Sequence, residues 1–320
     1  MNTKRTGKAL MKPKLFVGRS NPEFGQAVAD YLGIELGKMT IKPFSDGELW
    51  VRFDENIRGE DVFIIQSTNP PSTNMMELLL ALDAAKRASA RRVTAVVPYY
   101  GYARQDRKDQ PRVPISAKLF ADLFQTAGAD RVVSMDLHSS QIQGYFNIPF
   151  DHLYSKKVLV KAIKDLGLDN LVVLAPDIGS VPMSRSYAKL LDATLAIIDK
   201  RRPGHNVAEV MHLIGKVGAK NVLIMDDMVD TAGTLVAAAH KAKEMGALSV
   251  NAAVTHGVLS GPAIDRIKDS KIDRMLITDT IHIPEDKWMD KMMHVSVASV
   301  FGEAIKRIHD EESISILFDV

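Results

Sequence analysis

Residues 222 to 234 read Val-Leu-Ile-Met-Asp-Asp-Met-Val-Asp-Thr-Ala-Gly-Thr, an apolar run that ends in two adjacent carboxylates and then a turn. Val222 to Met225 have the character of a buried parallel strand, and a helical pattern follows over Leu235 to Met245. Ala232, Gly233 and Thr234 put small residues and free backbone N–H groups at the start of that helix. A helix start binds anions, because its first N–H groups are unpaired and the macrodipole is positive there. Asp226 and Asp227 repel a phosphate, so their expected partners are sugar hydroxyls or a bound Mg²⁺. The pattern is that of a cradle for a phosphorylated sugar, with Asp230, Thr231, Ala232, Gly233 and Thr234 around the phosphate. The plain alternative is a strand, an Asp230 N-cap and an ordinary helix. The doubled carboxylate at a strand end favours the cradle, since ligands of α/β sheets gather at the carboxyl ends of strands.

Other segments carry compatible chemistry. Lys200-Arg-Arg-Pro-Gly-His-Asn206 has neither helical nor strand period and reads as a cationic loop. Phosphoryl-type transfer spreads negative charge over several oxygens, and a loop that closes over substrate can supply its three cations, Lys200, Arg201 and Arg202, while expelling water; a solvated turn is the competing reading. Pro98-Tyr-Tyr-Gly-Tyr-Ala-Arg-Gln-Asp-Arg107 ends a buried-type strand with three tyrosines and a polar cluster, suited to a stacked base beside groups that contact phosphates; aromatic packing is the competing reading. Phe44-Ser-Asp-Gly-Glu48 is a hairpin-type turn with two carboxylates and an aromatic. His138 and Asp177 each follow an apolar run, and one His with one Asp suits Mg²⁺ that keeps water and substrate phosphates as its other ligands. Gly33 to Thr40 imitates a Walker A loop but has three residues between its glycines and Met39 between Lys38 and Thr40, and no Gly-x-Gly-x-x-Gly follows a strand.

The elements that must position these groups alternate. Apolar runs at Lys14 to Val17, Asp61 to Gln66, Arg92 to Pro98, Arg131 to Asp136, Leu171 to Ala175, Ala193 to Ile198, Asn221 to Met225, Leu248 to Thr255 and Met275 to Thr278 read as strands, with helical-period stretches between most of them. Strand-helix-strand alternation predicts an α/β fold with mainly parallel sheets flanked by helices. A length of 320 residues predicts two domains. The halves resemble each other weakly: Val133 to His138 parallels Leu223 to Met228, and Ala95 to Pro98 parallels Val173 to Pro176. The boundary is placed between residues 152 and 153, giving domains 12–152 and 153–320, with the tail packing back on the first. Lys+Arg at 41 against Asp+Glu at 39 leaves a net charge of +2, which gives no reason to expect nucleic-acid binding. The absence of Cys excludes disulfides, thiolate zinc sites and cysteine nucleophiles. Neither an export signal nor an apolar run long enough for a membrane span is seen, so a soluble cytoplasmic protein is expected.

Taken together, Phe44 to Glu48, Gly101 to Arg107, Met135 to His138 with Gln141 to Gly144, Asp199 to Pro203, Asp226 to Thr234, and Thr255 to Gly257 leading to Ser260 to Ala263 resemble the ribose-phosphate diphosphokinase, or phosphoribosyl pyrophosphate synthetase, family. The resemblance runs from Leu15 to Phe318. It implies two phosphoribosyltransferase-like α/β domains and transfer of a diphosphoryl group from MgATP to ribose 5-phosphate, giving AMP and 5-phosphoribosyl 1-diphosphate. By similarity Asp46, Gly47, Glu48, Arg104 and Gln105 hold ATP with Phe44 against the base, and His138 and Asp177 ligate Mg²⁺. Lys200 and Arg202 grip the transferring group, Asp226 and Asp227 hold ribose and metal, and residues 230–234 hold the 5-phosphate. Family members form homo-oligomers, commonly hexamers.

The chain departs from the family pattern at Ser180, where glycine is usual, at Met183, where an arginine is expected, at Asp109-Gln110-Pro111, and at Asp279, where asparagine is usual. The Asp109 to Pro111 change falls in a region that the resemblance links with activation by phosphate and inhibition by ADP. Two other functions share part of the pattern. A phosphoribosyltransferase explains the cradle but not the motifs of the first half, and a non-catalytic regulatory relative would tolerate loss of Lys200, Arg202, His138 and Asp177, all of which stand.

Overall fold

The computed structural model describes residues 12–201 and 210–318, without the side chains at 200, 201 and 210. The chain forms two compact units: one runs to Leu153 and includes the segment from Ala298, the other is Tyr154–Val297.

In the first unit the order is β1 (Lys14–Val17), α1 (Pro22–Leu32), β2 (Met39–Pro43), β3 (Leu49–Phe53), β4 (Asp61–Ile65), α2 (Thr73–Arg87), β5 (Arg92–Val97), α3 (Ser116–Ala127), β6 (Arg131–Met135) and β7 (Phe150–Leu153). β1-β4-β5-β6-β7 form an all-parallel sheet, while β2 and β3 make a separate antiparallel hairpin. Asn21 caps α1 by accepting from the Phe24 N–H at 3.2 Å, Pro22 opens the helix, and Gly33 closes it at φ 62°. The Walker-like Gly33 is therefore a helix terminator. Phe16, Val62, Ile64, Val93, Ala95, Val97 and Val132 form one buried layer with Leu78, Leu82, Ala85, Ala121 and Phe124 from α2 and α3.

In the second unit come α4 (Lys156–Asp165), β8 (Leu171–Ala175), α5 (Val181–Leu190), β9 (Thr194–Arg201), β10 (Val210–Ile214), β11 (Asn221–Val229), α6 (Gly233–Glu244), β12 (Ser249–Gly257), α7 (Ala263–Asp269), β13 (Arg274–Thr278) and β14 (Met292–Val295). The sheet order is β10-β9-β8-β11-β12-β13-β14, parallel except for the β9–β10 pair. Successive residues face opposite sides: Val172, Leu174, Val222 and Ile224 pack with Leu235, Ala238 and Ala242 of α6, while Val173, Leu223 and Met225 pack with Leu159, Ile163 and Tyr187 of α4 and α5. A sheet covered on both faces explains why these strands read as unbroken apolar runs. The winding reverses between β8 and β11, so the crevice beyond their carboxyl ends is a topological switch point.

The sheets correct one expected correspondence. β1-β4-β5 in the first unit occupy the positions of β8-β11-β12 in the second. The counterpart of β11 is thus β4, not β6, and that of β8 is β1, not β5. The matching segments share strand-end chemistry without sharing a place in the sheet.

The chain returns to the first unit in α8 (Ala298–His309). Phe301 meets Phe24 edge-on at 5.3 Å between ring centroids, and the Tyr31 hydroxyl donates to Glu303 at 3.0 Å. A buried ionic cluster completes the attachment: Asp61 takes both nitrogens of the Arg92 fork and lies 2.8 Å from His309 Nδ1, while Arg92 Nη2 donates to the Ile308 carbonyl at 2.8 Å. Asp61→Ala should destabilise the protein by about 3–5 kcal/mol, because a buried partner is removed and the remaining charge stays. Urea unfolding checks this, and a loss below ~1 kcal/mol would show that the cluster contributes little. Among the described residues, no helix is long and apolar enough to cross a membrane.

Candidate functional site

The cradle begins inside a strand. β11 continues through Val229, so Asp226 and Asp227 lie within its last turns of pleat rather than after it, and Asp226 is still paired in register with Val254. The chain then turns through Asp230 and Thr231 to Ala232, which takes the left-handed conformation (φ 60°, ψ 6°) and is the residue preceding α6. Asp230 is therefore not the N-cap, and no side chain caps this helix. An alanine at this position offers the helix start no side-chain cap, and a helix start of this kind suits an anion. Asp230 instead accepts from the Ser260 hydroxyl and, through its carbonyl, from the Ser260 N–H at 3.0 Å. The sequence motif that contains Ser260 does not by itself assign it a role. Its contact lies thirty residues away in sequence and becomes visible only when β11 and β12 are paired.

Asp226, Asp227 and Asp177 form the charged floor at the switch point. Burial raises the Asp226 carboxyl to a pKa of about 8, helped by the charge of Asp227, a hydrogen bond with it, and the charge of Asp177 beyond β8. Crowded carboxylates of this kind suit a divalent cation, which removes the repulsion that otherwise holds a proton on one of them. Among the described residues no group of three or more His, Asp or Glu is poised to ligate a metal by itself.

In the first unit His138 is exposed just beyond β6, where Asp136 takes φ 38° and the Leu137 N–H donates to His152 Nε2 at 2.9 Å. Phe44 to Glu48 form the tip of the β2–β3 hairpin: the Phe44 N–H donates to the Glu48 carbonyl at 2.7 Å, Gly47 takes φ 94°, and Phe44 is exposed. Beyond β5, Arg104 and Gln105 are exposed, and Gln105 also accepts from the Ser116 hydroxyl at the start of α3. The three-tyrosine platform is corrected. Tyr99 and Tyr100 are buried, Tyr100 against Phe124 and Phe146 with its hydroxyl donating to the Ala117 carbonyl at 2.9 Å. Tyr102 is exposed but already stacks on Phe120 at 4.4 Å. Gly101 permits the close fold-back here, since a Cβ would lie 2.2 Å from the Thr68 carbonyl oxygen. Tyr100→Phe should cost about 1 kcal/mol in stability for the lost hydrogen bond and leave nucleotide affinity unchanged; weakened ATP binding at intact stability would restore the platform reading.

Lys200 is not in a loop. β9 extends through Arg201 and pairs with β10, Lys200 opposite Met211. Ala196 and Ile198 of β9 enter the core, and Met211 and Leu213 of β10 pack against it, so the apolar signal of β9 ends at Ile198 while the strand runs on to Arg201. Arg202 lies outside the described residues.

Residues 13–128 match the N-terminal domain of ribose phosphate pyrophosphokinase, and residues 202–319 match the phosphoribosyl synthetase-associated domain. The ribose-phosphate pyrophosphokinase of Chlorobaculum tepidum is 57% identical over 96% of this chain and 95% of its own length. That of Caldanaerobacter subterraneus subsp. tengcongensis is 55% identical over 95% and 97%. The chain belongs to the ribose-phosphate pyrophosphokinase family. The crystal structure of phosphoribosylpyrophosphate synthetase from Mycobacterium smegmatis superposes with a TM-score of 0.89 at 41% identity, covering 94% of this chain and all (100%) of that one.

Within this pyrophosphokinase framework the departures acquire local causes. Ser180 locks the turn after β8: its N–H donates to Asp177 Oδ1 at 2.9 Å and its hydroxyl to the Asp177 carbonyl at 2.9 Å. A glycine could make the first contact, whereas the hydroxyl contact to the backbone is the serine's own. Met183 packs against the apolar cluster of Leu159, Val173 and Tyr187, where it serves as core. Asp279 accepts from the Val297 N–H at 2.8 Å with His294 Nε2 3.7 Å from its other oxygen, and burial raises its pKa. Asparagine could make the first contact but carries no charge to face His294. Asp109, Gln110 and Pro111 are exposed.

Proposed function

We propose that this pyrophosphokinase transfers the β,γ-diphosphoryl group of MgATP to the anomeric hydroxyl of ribose 5-phosphate. The sugar oxygen bonds to the β-phosphorus, the bond from that phosphorus to the α,β-bridging oxygen breaks, AMP leaves with that oxygen, and the hydroxyl proton is released. The observation that carries the reading is the uncapped α6 start directly following the Asp226–Asp227 pair at the switch point of a parallel sheet. Sugar phosphates need both halves of that arrangement, anion binding for the phosphate and carboxylates for the hydroxyls.

Residues 230–234 take the 5-phosphate, and Asp226 and Asp227 take the ribose hydroxyls and cation. Asp46, Gly47, Glu48, Arg104 and Gln105 take ATP, with Phe44 against the base. Lys200 and Arg202 grip the transferring group. His138 and Asp177 are the proposed Mg²⁺ ligands, and Mg²⁺ when bound neutralises the β- and γ-phosphate oxygens. The domains at 12–152 and 153–320 accordingly divide ATP and ribose 5-phosphate recognition between them. The protein acts in the cytoplasm as a homo-oligomer, a hexamer by family resemblance, and serves nucleotide biosynthesis.

The test is AMP formation from ATP, ribose 5-phosphate and Mg²⁺, run with and without inorganic phosphate. AMP that requires both substrates supports the reading. Its absence under both conditions would favour a regulatory relative, and consumption of 5-phosphoribosyl 1-diphosphate with a nucleobase would favour a phosphoribosyltransferase. The phosphate dependence also reports whether the Asp109 to Pro111 segment retains regulation.

A further inference from the structure

The cradle has an electrostatic deficit. Asp227 and Asp230 precede residues 231–234, so a phosphate dianion arriving there meets like charge that one helix terminus offsets only in part. Arg266 stands at this point. Its Nη1 donates to the Thr231 carbonyl at 3.0 Å and lies 3.4 Å from the position that a Cβ on Gly233 would occupy. The guanidinium is therefore at the cradle itself, between the turn and the first helical residue. Ala263 and Ile267, both fully buried in the core cluster shared with α6, hold the short helix that carries it. Arg266 is exposed and so can meet a solute.

We propose that Arg266 is a further substrate-binding residue, supplying a guanidinium to the phosphate group of the sugar phosphate. The inference rests on the assignment of residues 230–234 to the 5-phosphate. A fork with five N–H donors can keep Thr231 through Nη1 and still present other donors to phosphate oxygens. A Cβ on Gly233 would lie in ordinary van der Waals contact with Nη1, at 3.4 Å, so the cation stands within contact distance of the first helical residue. Arg266 also carries a selectivity. An unphosphorylated pentose gains nothing from it.

The experiment compares Arg266→Gln and Arg266→Lys with the wild type in steady-state AMP formation, varying ribose 5-phosphate and ATP separately, with melting temperatures measured alongside. The expected result for Arg266→Gln is a KM for ribose 5-phosphate raised roughly 10- to 100-fold, the ratio for loss of a charge-assisted hydrogen bond. The KM for ATP and kcat should stay within about twofold, as expected when an interaction with one substrate is lost in ground and transition states alike. Arg266→Lys should fall between, since it keeps charge without the fork. The KM for ribose 5-phosphate should rise with added KCl more steeply in the wild type than in Arg266→Gln. An unchanged KM for ribose 5-phosphate in folded Arg266→Gln overturns the inference. So does a fall in kcat and melting temperature with both KM values unmoved, which would mark Arg266 as support for Thr231 alone. If the Gln variant does not fold, the Lys variant decides: a raised ribose 5-phosphate KM supports the proposal and wild-type kinetics overturn it. A wild type that makes no AMP fails the assigned reaction instead, a result distinct from either outcome for Arg266.

Discussion

Lys200→Ala should lower kcat by roughly two to four orders of magnitude, scaled from the removal of single groups that stabilise transition-state charge. The KM values for ATP and ribose 5-phosphate should change little, because the diphosphoryl group gathers its extra negative charge only as the bond to AMP breaks. The position of Lys200 adds a mechanical reason for a large effect. It lies at the end of an edge hairpin, opposite Met211, on a strand that starts beside β8 in the parallel sheet. The strand that carries Lys200 is anchored in the sheet through the pairing of β9 with β8. Rapid-quench measurement of a single turnover checks this, and a chemical step within about tenfold of wild type would remove Lys200 from the proposed machinery.

Asp226→Asn should have opposite effects on catalysis and on stability. Turnover should fall by at least ~100-fold, since a group proposed to hold the sugar hydroxyls and the cation is lost. The metal-free protein should at the same time become more stable at pH 8.5. The sign follows from the pKa: burial and the neighbouring carboxylates raise Asp226 from the model-peptide value of 3.8 to about 8 in the folded protein. Between those values the native state holds a proton that the unfolded state has released, so stability falls as pH rises through this window and levels off above it. The accumulated cost is on the order of a few kcal/mol. Asparagine keeps the shape and carries no charge, so the melting temperature of metal-free Asp226→Asn should depend less on pH between 6 and 8.5 than that of the wild type. Mg²⁺ should raise the wild-type melting temperature at pH 8.5 and raise that of the variant less. A variant that matches the wild type in pH dependence would show that the carboxylates are not in conflict.

The parts of the fold that were legible in the sequence are those where one physical demand acts alone. β4, β5, β6, β8 and β13 are buried on both faces, so Val, Ile, Leu and Ala fill them and their limits are clear. The strand and the helix on either side of Asp226 to Thr234 were legible from their apolar and helical patterns, although β11 runs on to Val229 where the apolar run ends at Met225. Elements answering two demands were misread. Lys200 and Arg201 end a strand next to the sheet edge, and their charged residue types cancel the strand signal. Tyr99 and Tyr100 look like a stacking platform because aromatic types serve cores and bases equally, and only burial separates them. Ala232 adopts a left-handed conformation that its residue type does not announce, which left an Asp230 cap open as the plain alternative to the cradle. Contacts distant in sequence were not legible at all. Asp61 meets His309 across 248 positions, and Arg266 meets Thr231 across 35. No local pattern marks either pair.

The measurement that tests the central claim most directly follows labelled phosphorus. ATP radiolabelled separately at the α-, β- or γ-phosphorus is incubated with the protein, Mg²⁺ and ribose 5-phosphate, and the products are separated. The account predicts that β and γ labels appear together on the sugar product while the α label appears in AMP. Transfer of the γ label alone, with α and β labels retained in ADP, would contradict diphosphoryl transfer and with it the function assigned to this site.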